Sequence, residues 1–199
     1  MAGRKHGLIK TEARSLGASP GHFPPPKRNR QIDLPKTTKG RHMTLSEGDR
    51  APAFSLPRDG GGKVSLAGFR GRKLALFFYP KADTTGCTRE AQDFSRLAAT
   101  FSRTGTDILG VSADPMPRQE AFKRKHTLNI ALASDETGEM LAVYGVWAEK
   151  SMYGRTFMGI VRTTLLVDAN GRIARIWSRV KVPGHAEEVL AAARGLKAG

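Results

Sequence analysis

The chain has 199 residues, 39% of them hydrophobic, a formal net charge of +15 and one cysteine. That length suits a single domain with a full core. No apolar run approaches the ~20 residues of a membrane span, and a lone cysteine excludes a disulfide scaffold within the monomer.

The first 43 residues form a separate kind of sequence. Ten Lys and Arg residues stand there against Glu12 and Asp33, so this segment carries +8 of the total charge. It holds Pro24-Pro25-Pro26, few core-forming side chains and no sustained period, a composition that predicts disorder. A basic, acid-poor segment fits an organelle transit peptide, though a clear amphipathic helix is missing. It also fits a tether to nucleic acid or another anionic surface, because clustered cations release counterions on binding phosphate.

Beyond Thr44 the patterning becomes that of an α/β domain, residues 44–199. Residues 53–56 and 63–66 predict a hairpin around Arg58-Asp-Gly-Gly-Gly62. Residues 74–79 form an almost continuously apolar run, as a buried strand does. Residues 87–101 follow helical spacing through Ala91, Phe94, Leu97, Ala98 and Phe101. A strand over 107–112 and a helix over 117–126, with a proline in its first turn, come next. A short strand at 131–134 and a short helix at 138–144 follow. Residues 163–167 and 173–178 pair around the turn Asp168-Ala-Asn-Gly171, and a helix over 187–196 closes the chain.

Cys87 carries most of the functional signal. It stands where the strand at 74–79 has stopped at Pro80, passed through a Thr/Gly-rich turn and entered a helix. That placement aims a helix start at the sulfur, which favours thiolate over thiol. A lone cysteine is more often a small buried hydrophobe. Here, however, it follows Gly86, where backbone approaches a ligand closely, and hydroxyls flank it at Thr84, Thr85 and Thr88. A packing cysteine gains nothing from that polar company. His6, His22, His42, His126 and His185 show no metal-ligand spacing and no glycine-rich phosphate loop occurs, so no metal or organic cofactor is implied.

Pro80, Thr84 and Cys87 reproduce the Pro-x-x-x-Thr-x-x-Cys signature of peroxiredoxins. The string from Phe78-Tyr79-Pro80-Lys81 to Gly86-Cys87-Thr88-Arg89-Glu90-Ala91 resembles the bacterioferritin comigratory protein (PrxQ) subfamily. Gly159-Ile160-Val161-Arg162-Thr163-Thr164 is similar to that family's second active-site segment. Val180-Lys181-Val182 and Gly184-His185-Ala186 also match, so the resemblance covers residues 44–197. It implies a thioredoxin-like fold, a central mixed sheet flanked by helices, which the order of elements suits. It also marks Met43, directly before Thr44, as the place where such chains usually begin. Residues 1–42 are thereby expected to be untranslated, ahead of the two other readings of that segment.

The resemblance further implies a thiol-dependent peroxidase that reduces hydrogen peroxide and organic hydroperoxides. Cys87 would attack the peroxide O–O bond and become a sulfenic acid. Thr84 would hold thiolate and peroxide in line, and Arg162 would stabilise the thiolate and the departing oxygen. Pro80 would shield the pocket from water, while backbone N–H groups of Gly86 and Cys87 would complete the cradle. Taken alone, Thr84 reads as a turn or cap residue, Arg162 as a surface cation and Pro80 as a strand end. Lys81 and Asp83 read as solvated loop charges.

Many PrxQ proteins carry a resolving cysteine five residues after the first; here Gln92 stands at that position. The implied mechanism is therefore of the one-cysteine type, with an external reductant: glutathione or another small thiol, glutaredoxin or thioredoxin. A cytoplasmic monomer or weak dimer without membrane or nucleic-acid partner is expected. A redox sensor relaying Cys87 oxidation, or a nucleic-acid-associated protein using the basic tail, are the rival readings.

Overall fold

The computed structural model describes residues 45–152 and 155–196. The basic segment 1–43, and with it the expected start at Met43, lies outside them. Five strands make the central sheet: β3 (Lys73–Phe78), β4 (Thr106–Ser112), β5 (Ala131–Ser134), β8 (Thr163–Val167) and β9 (Ile173–Ser178), in the order β5-β4-β3-β8-β9. The β3–β4 and β4–β5 pairs are parallel, whereas β3–β8 and β8–β9 are antiparallel. Helices α1 (Thr85–Arg103), α2 (Met116–Lys125), α3 (Glu139–Val143) and α4 (His185–Gly195) flank it. This is the mixed, helix-flanked sheet of a thioredoxin-like fold.

The central place of β3 follows from its sequence, since all six of its residues are buried and a run apolar on both faces needs cover on both. Alternate side chains point to opposite faces. Leu74, Leu76 and Phe78 join a core with Phe54, Leu141 and Tyr144 beneath α3 and the hairpins. Ala75, Phe77 and Tyr79 join another with Phe94 of α1, Phe122 of α2 and Val189 of α4. Gly110 of β4 lies beside Phe77; a Cβ there would come within 2.6 Å of the ring, so only glycine fits. Lys73 opens β3 with a buried ammonium that donates to the Ala193 and Leu196 carbonyls at 2.7 and 3.1 Å, tying the end of α4 to the sheet.

Two local expectations change. The first hairpin is shorter, β1 (Ser55–Pro57) against β2 (Lys63–Ser65), because Leu66 leaves the strand for a 3-10 turn over Leu66–Phe69. A second hairpin, absent from the sequence reading, is formed by β6 (Trp147–Met152) and β7 (Arg155–Ile160) as a two-stranded sheet apart from the central one. It buries little: Trp147 and its partner Ile160 reach the core, while Phe157 and Met158 stay about half exposed. A strand pair with so weak an apolar alternation leaves little trace in sequence. It ends directly before the segment that bears Arg162.

Candidate active site

Strand β3 delivers the chain to a loop, Pro80 to Thr84, from which α1 starts. Thr84 has extended backbone (φ −93°, ψ 151°), as an N-cap residue does, and Cys87 is the third residue of the helix. The first helical bond runs from the Thr88 N–H to the Thr84 carbonyl at 2.8 Å. The N–H groups of Gly86 and Cys87 thus remain outside the helical ladder. The sulfur itself is buried, Cys87 being 1% exposed.

Arg162 arrives from the two-residue link between β7 and β8. Its Nη2 donates to Cys87 Sγ at 3.3 Å, and its Nη1 donates to Glu90 Oε2. Cys87 and Glu90 lie three apart on α1 and so share a face, which lets one planar guanidinium serve both. Gly86 makes room for it: a Cβ there would stand 3.3 Å from Arg162 Nη2. The Arg162 backbone is fixed by its own carbonyl, which accepts from Val180 N–H at 3.0 Å, and by the neighbouring Val161 N–H on Val146.

Burial works against the Arg162 charge, but Glu90 and Cys87 beside it outweigh that and hold its pKa above the ordinary value. Lys150 of β6 adds a second cation, its ammonium donating to the Ile160 carbonyl. Burial and the Arg162 charge lower the Lys150 pKa, while Cys87 opposes the shift. Neither Glu90 nor Lys150 was singled out from sequence. The spacing Cys87–Glu90 was the available signal for the first; nothing local marks the second.

The remaining expected residues are placed differently. Thr84 is exposed; its hydroxyl donates to the Lys81 carbonyl at 3.0 Å and does not cap the helix by accepting from its first N–H groups. Pro80 is exposed at the head of the loop. Asp83 is not merely solvated: its carboxylate meets Lys125 Nζ at 2.7 Å and His126 Nε2 at 2.6 Å, at the end of α2. Those two partners hold the Asp83 pKa below its ordinary value. Its backbone sits in the left-handed region (φ 64°), a conformation that aspartate tolerates better than most residues. Lys81 remains exposed. His185, first residue of α4, is buried against Phe94 and Trp177 with Nε2 2.8 Å from Thr164 Oγ1. Burial lowers its pKa, as suits a packing histidine.

Glu90 is buried, its Oε1 has no hydrogen-bond partner among the described residues, and burial pushes its pKa up to about 7 against the pull of Arg162. A carboxyl raised in the folded state binds its proton more tightly there than when unfolded. Its contribution to stability is therefore full below the ordinary pKa and is lost as pH rises through about 7. Relative to Glu90→Gln, the protein is expected to lose on the order of 3 kcal/mol of unfolding free energy across that window. Urea titrations at about pH 5 and about pH 8 read the difference; parallel pH dependence in both proteins would remove the assignment.

The AhpC/TSA family model matches residues 47–176. The chain belongs to the AhpC/TSA family. Peroxiredoxin Bcp of Escherichia coli strain K12 is 40% identical over 146 residues, 73% of this chain and 94% of that protein. Peroxiredoxin Bcp of Bacillus subtilis strain 168 is 38% identical over 148 residues, 74% and 94% respectively. Among solved structures, Xanthomonas campestris peroxiredoxin Q superposes with a TM-score of 0.69 at 38% identity, covering 71% of this chain and 90% of that one. A cysteine-to-serine variant of Xylella fastidiosa PrxQ gives 0.73 at 33%, with 78% and 98% covered. A further structure, 37% identical, concerns alkyl peroxide reduction by the X. campestris bacterioferritin comigratory protein; its TM-score is 0.69 with 71% and 90% covered.

This peroxiredoxin is thus a thiol-dependent peroxidase of the Bcp/PrxQ kind, using a peroxide and a thiol reductant. With Gln92 exposed on α1 and no second cysteine in its 199 residues, it closes no intramolecular disulfide. Among the described residues no helix is long and apolar enough to cross a membrane.

Proposed function

We propose that this peroxiredoxin reduces hydrogen peroxide and small organic hydroperoxides through a one-cysteine cycle centred on Cys87. The observation that carries the reading is Arg162 Nη2 at 3.3 Å from a buried Cys87 Sγ. Charge-assisted donation of this kind is strongest to an ionised acceptor, and the ionised sulfur is the nucleophile. The sulfur attacks the terminal oxygen of ROOH; the S–O bond forms as the O–O bond breaks. The electron pair leaves on RO⁻, which takes a proton to become water or alcohol. Arg162 faces the negative charge throughout, a fixed donor beside a buried sulfur.

Thr84 has one hydroxyl proton, already given to Lys81, so it acts as an acceptor and takes the O–H of the incoming peroxide. The free N–H groups of Gly86 and Cys87 supply donors to the peroxide oxygens. Pro80, fixed in φ and without an N–H, stiffens the loop and shields the site from water. An external thiol attacks the sulfenic sulfur and releases water; a second thiol resolves the mixed disulfide, restoring Cys87 and leaving with the oxidised reductant. Glutathione or another small thiol, glutaredoxin and thioredoxin have the required chemistry, and the burial of Cys87 favours the small thiols.

The catalytic domain on this reading is 44–199, with 1–43 an extension outside the chemistry. The lone cysteine suits a reducing compartment, and we place the protein in the cytoplasm as a monomer or weak dimer. Intact-mass measurement before and after an equimolar addition of hydrogen peroxide, with a sulfenic-acid trap present, tests the proposal. A single adduct on Cys87 supports it; a thiol left unmodified overturns it in favour of a site that is assembled but inactive.

A further inference from the structure

The loop that precedes Cys87 is held by groups that the chemistry above does not use. β3 and β4 are neighbouring parallel strands, so the segments leaving their C-terminal ends adjoin. The one after β4 presents Asp114, whose carboxylate is buried. Asp114 Oδ2 accepts the Ala82 N–H at 2.6 Å and the Ser112 hydroxyl at 2.8 Å. Arg118, in the first turn of α2, sets Nε 3.1 Å from Asp114 Oδ1 and donates from Nη2 to the Ala82 carbonyl at 3.2 Å. Ser112 is anchored in turn by Gln119 Nε2 at 2.8 Å, and Gln119 Oε1 accepts the buried Tyr79 hydroxyl. Ala82 is gripped on both its N–H and its C=O.

The consequence runs through one peptide plane. The Lys81 carbonyl and the Ala82 N–H belong to the same planar group and point in opposite directions. Fixing the N–H on Asp114 therefore fixes the carbonyl of Lys81, which is the acceptor of the Thr84 hydroxyl at 3.0 Å. A hydroxyl has one proton and two lone pairs, so the direction of its donated bond decides where the lone pairs point. We propose that Asp114, completed by Arg118, is a positioning residue for peroxide reduction: it aims the lone pairs of Thr84 at the incoming hydroperoxide. The inference rests on the role given above to Thr84. A carboxylate suits the position because the Ala82 N–H and the Ser112 hydroxyl donate to it and Arg118 forms an ion pair with it. Lys125 and His126 reinforce the arrangement by holding Asp83, the residue before Thr84.

The test is a double-mutant cycle on the full chain, reading single-turnover oxidation of Cys87 by hydrogen peroxide. Thr84→Val, Asp114→Ala, Arg118→Ala and the Thr84→Val/Arg118→Ala pair are compared. Asp114→Ala is expected to slow oxidation by up to about a hundredfold and Arg118→Ala by about tenfold, the scale of a small misplacement. Alkylation of Cys87 by iodoacetamide should stay unchanged in both. In the Thr84→Val background Arg118→Ala should cost nothing further, a non-additivity that a merely structural role does not produce. Should the Asp114 variant not fold, Arg118→Ala carries the test, its side chain being 44% exposed. Wild-type rates in Thr84→Val overturn the reading of Thr84 and this inference together. A slow Thr84→Val with a normal Arg118→Ala, or with Arg118→Ala equally costly in both backgrounds, overturns the positioning role alone.

Discussion

Cys87→Ser is expected to lower peroxide consumption by at least about 10⁴-fold, the order of loss seen when a nucleophile is removed. Serine at this place keeps the shape and can still accept from Arg162, so the buried donor is not orphaned. What it lacks is a sulfur: an alkoxide is not formed at neutral pH, and an oxygen nucleophile would only exchange one weak O–O bond for another instead of gaining a stronger S–O bond. The 199 residues hold no other cysteine, so no second thiol can take over the turnover. The assay is peroxide consumption with dithiothreitol as reductant, alongside a thermal melt. A folded variant with turnover within tenfold of the native protein would contradict the assignment of Cys87.

Arg162→Ala carries the second-largest expected effect. It removes the donor to Cys87 Sγ and the partner of Glu90 at one stroke. Loss of one fixed donor from a reaction centre costs about 10²–10³ in rate, and Cys87 oxidation should slow by that factor in a stopped-flow measurement. Breaking a buried ion pair often costs about 3–5 kcal/mol, because the surviving charge is left uncompensated. Here the surviving group is a carboxyl already raised to about 7, so it escapes by taking a proton and the loss of stability should be smaller near neutral pH.

The two consequences separate cleanly. Adding Glu90→Gln to Arg162→Ala should recover stability but not the rate. Arg162→Lys should recover little of either, since one ammonium cannot reproduce a planar fork spanning two acceptors. Recovery of rate in the Arg162→Ala/Glu90→Gln pair would mean that Arg162 acts by holding Glu90 rather than by facing the sulfur.

Much of this site is legible in the sequence alone. The strand into Pro80, the turn through Gly86 and the helix bearing Cys87 are written in consecutive residues, and local propensity and periodicity are properties of consecutive residues. The segment 159–164, which bears Arg162, was recognisable by likeness. Its contact with Cys87 was not a matter of local pattern, because 75 residues separate the two. Asp83 shows the opposite case: next to a turn it looks like a solvated charge, yet the end of α2 folds back to meet it.

By itself the sequence determined that a single cysteine stands at a helix start in a peroxiredoxin motif, that Gln92 replaces the resolving cysteine, and that strands and helices alternate around it. Composition and short-range spacing suffice for the lone cysteine, the helix start and the alternation; the motif and the missing resolving cysteine come from the likeness to peroxiredoxins. The tertiary structure decided that Arg162 bridges Cys87 and Glu90, that the β6–β7 hairpin leads Arg162 to its place, and that Asp114 and Arg118 grip Ala82. Those contacts depend on which strands lie side by side and on which helix covers their ends. Periodicity reports that a face is buried; only the packed sheet says against what.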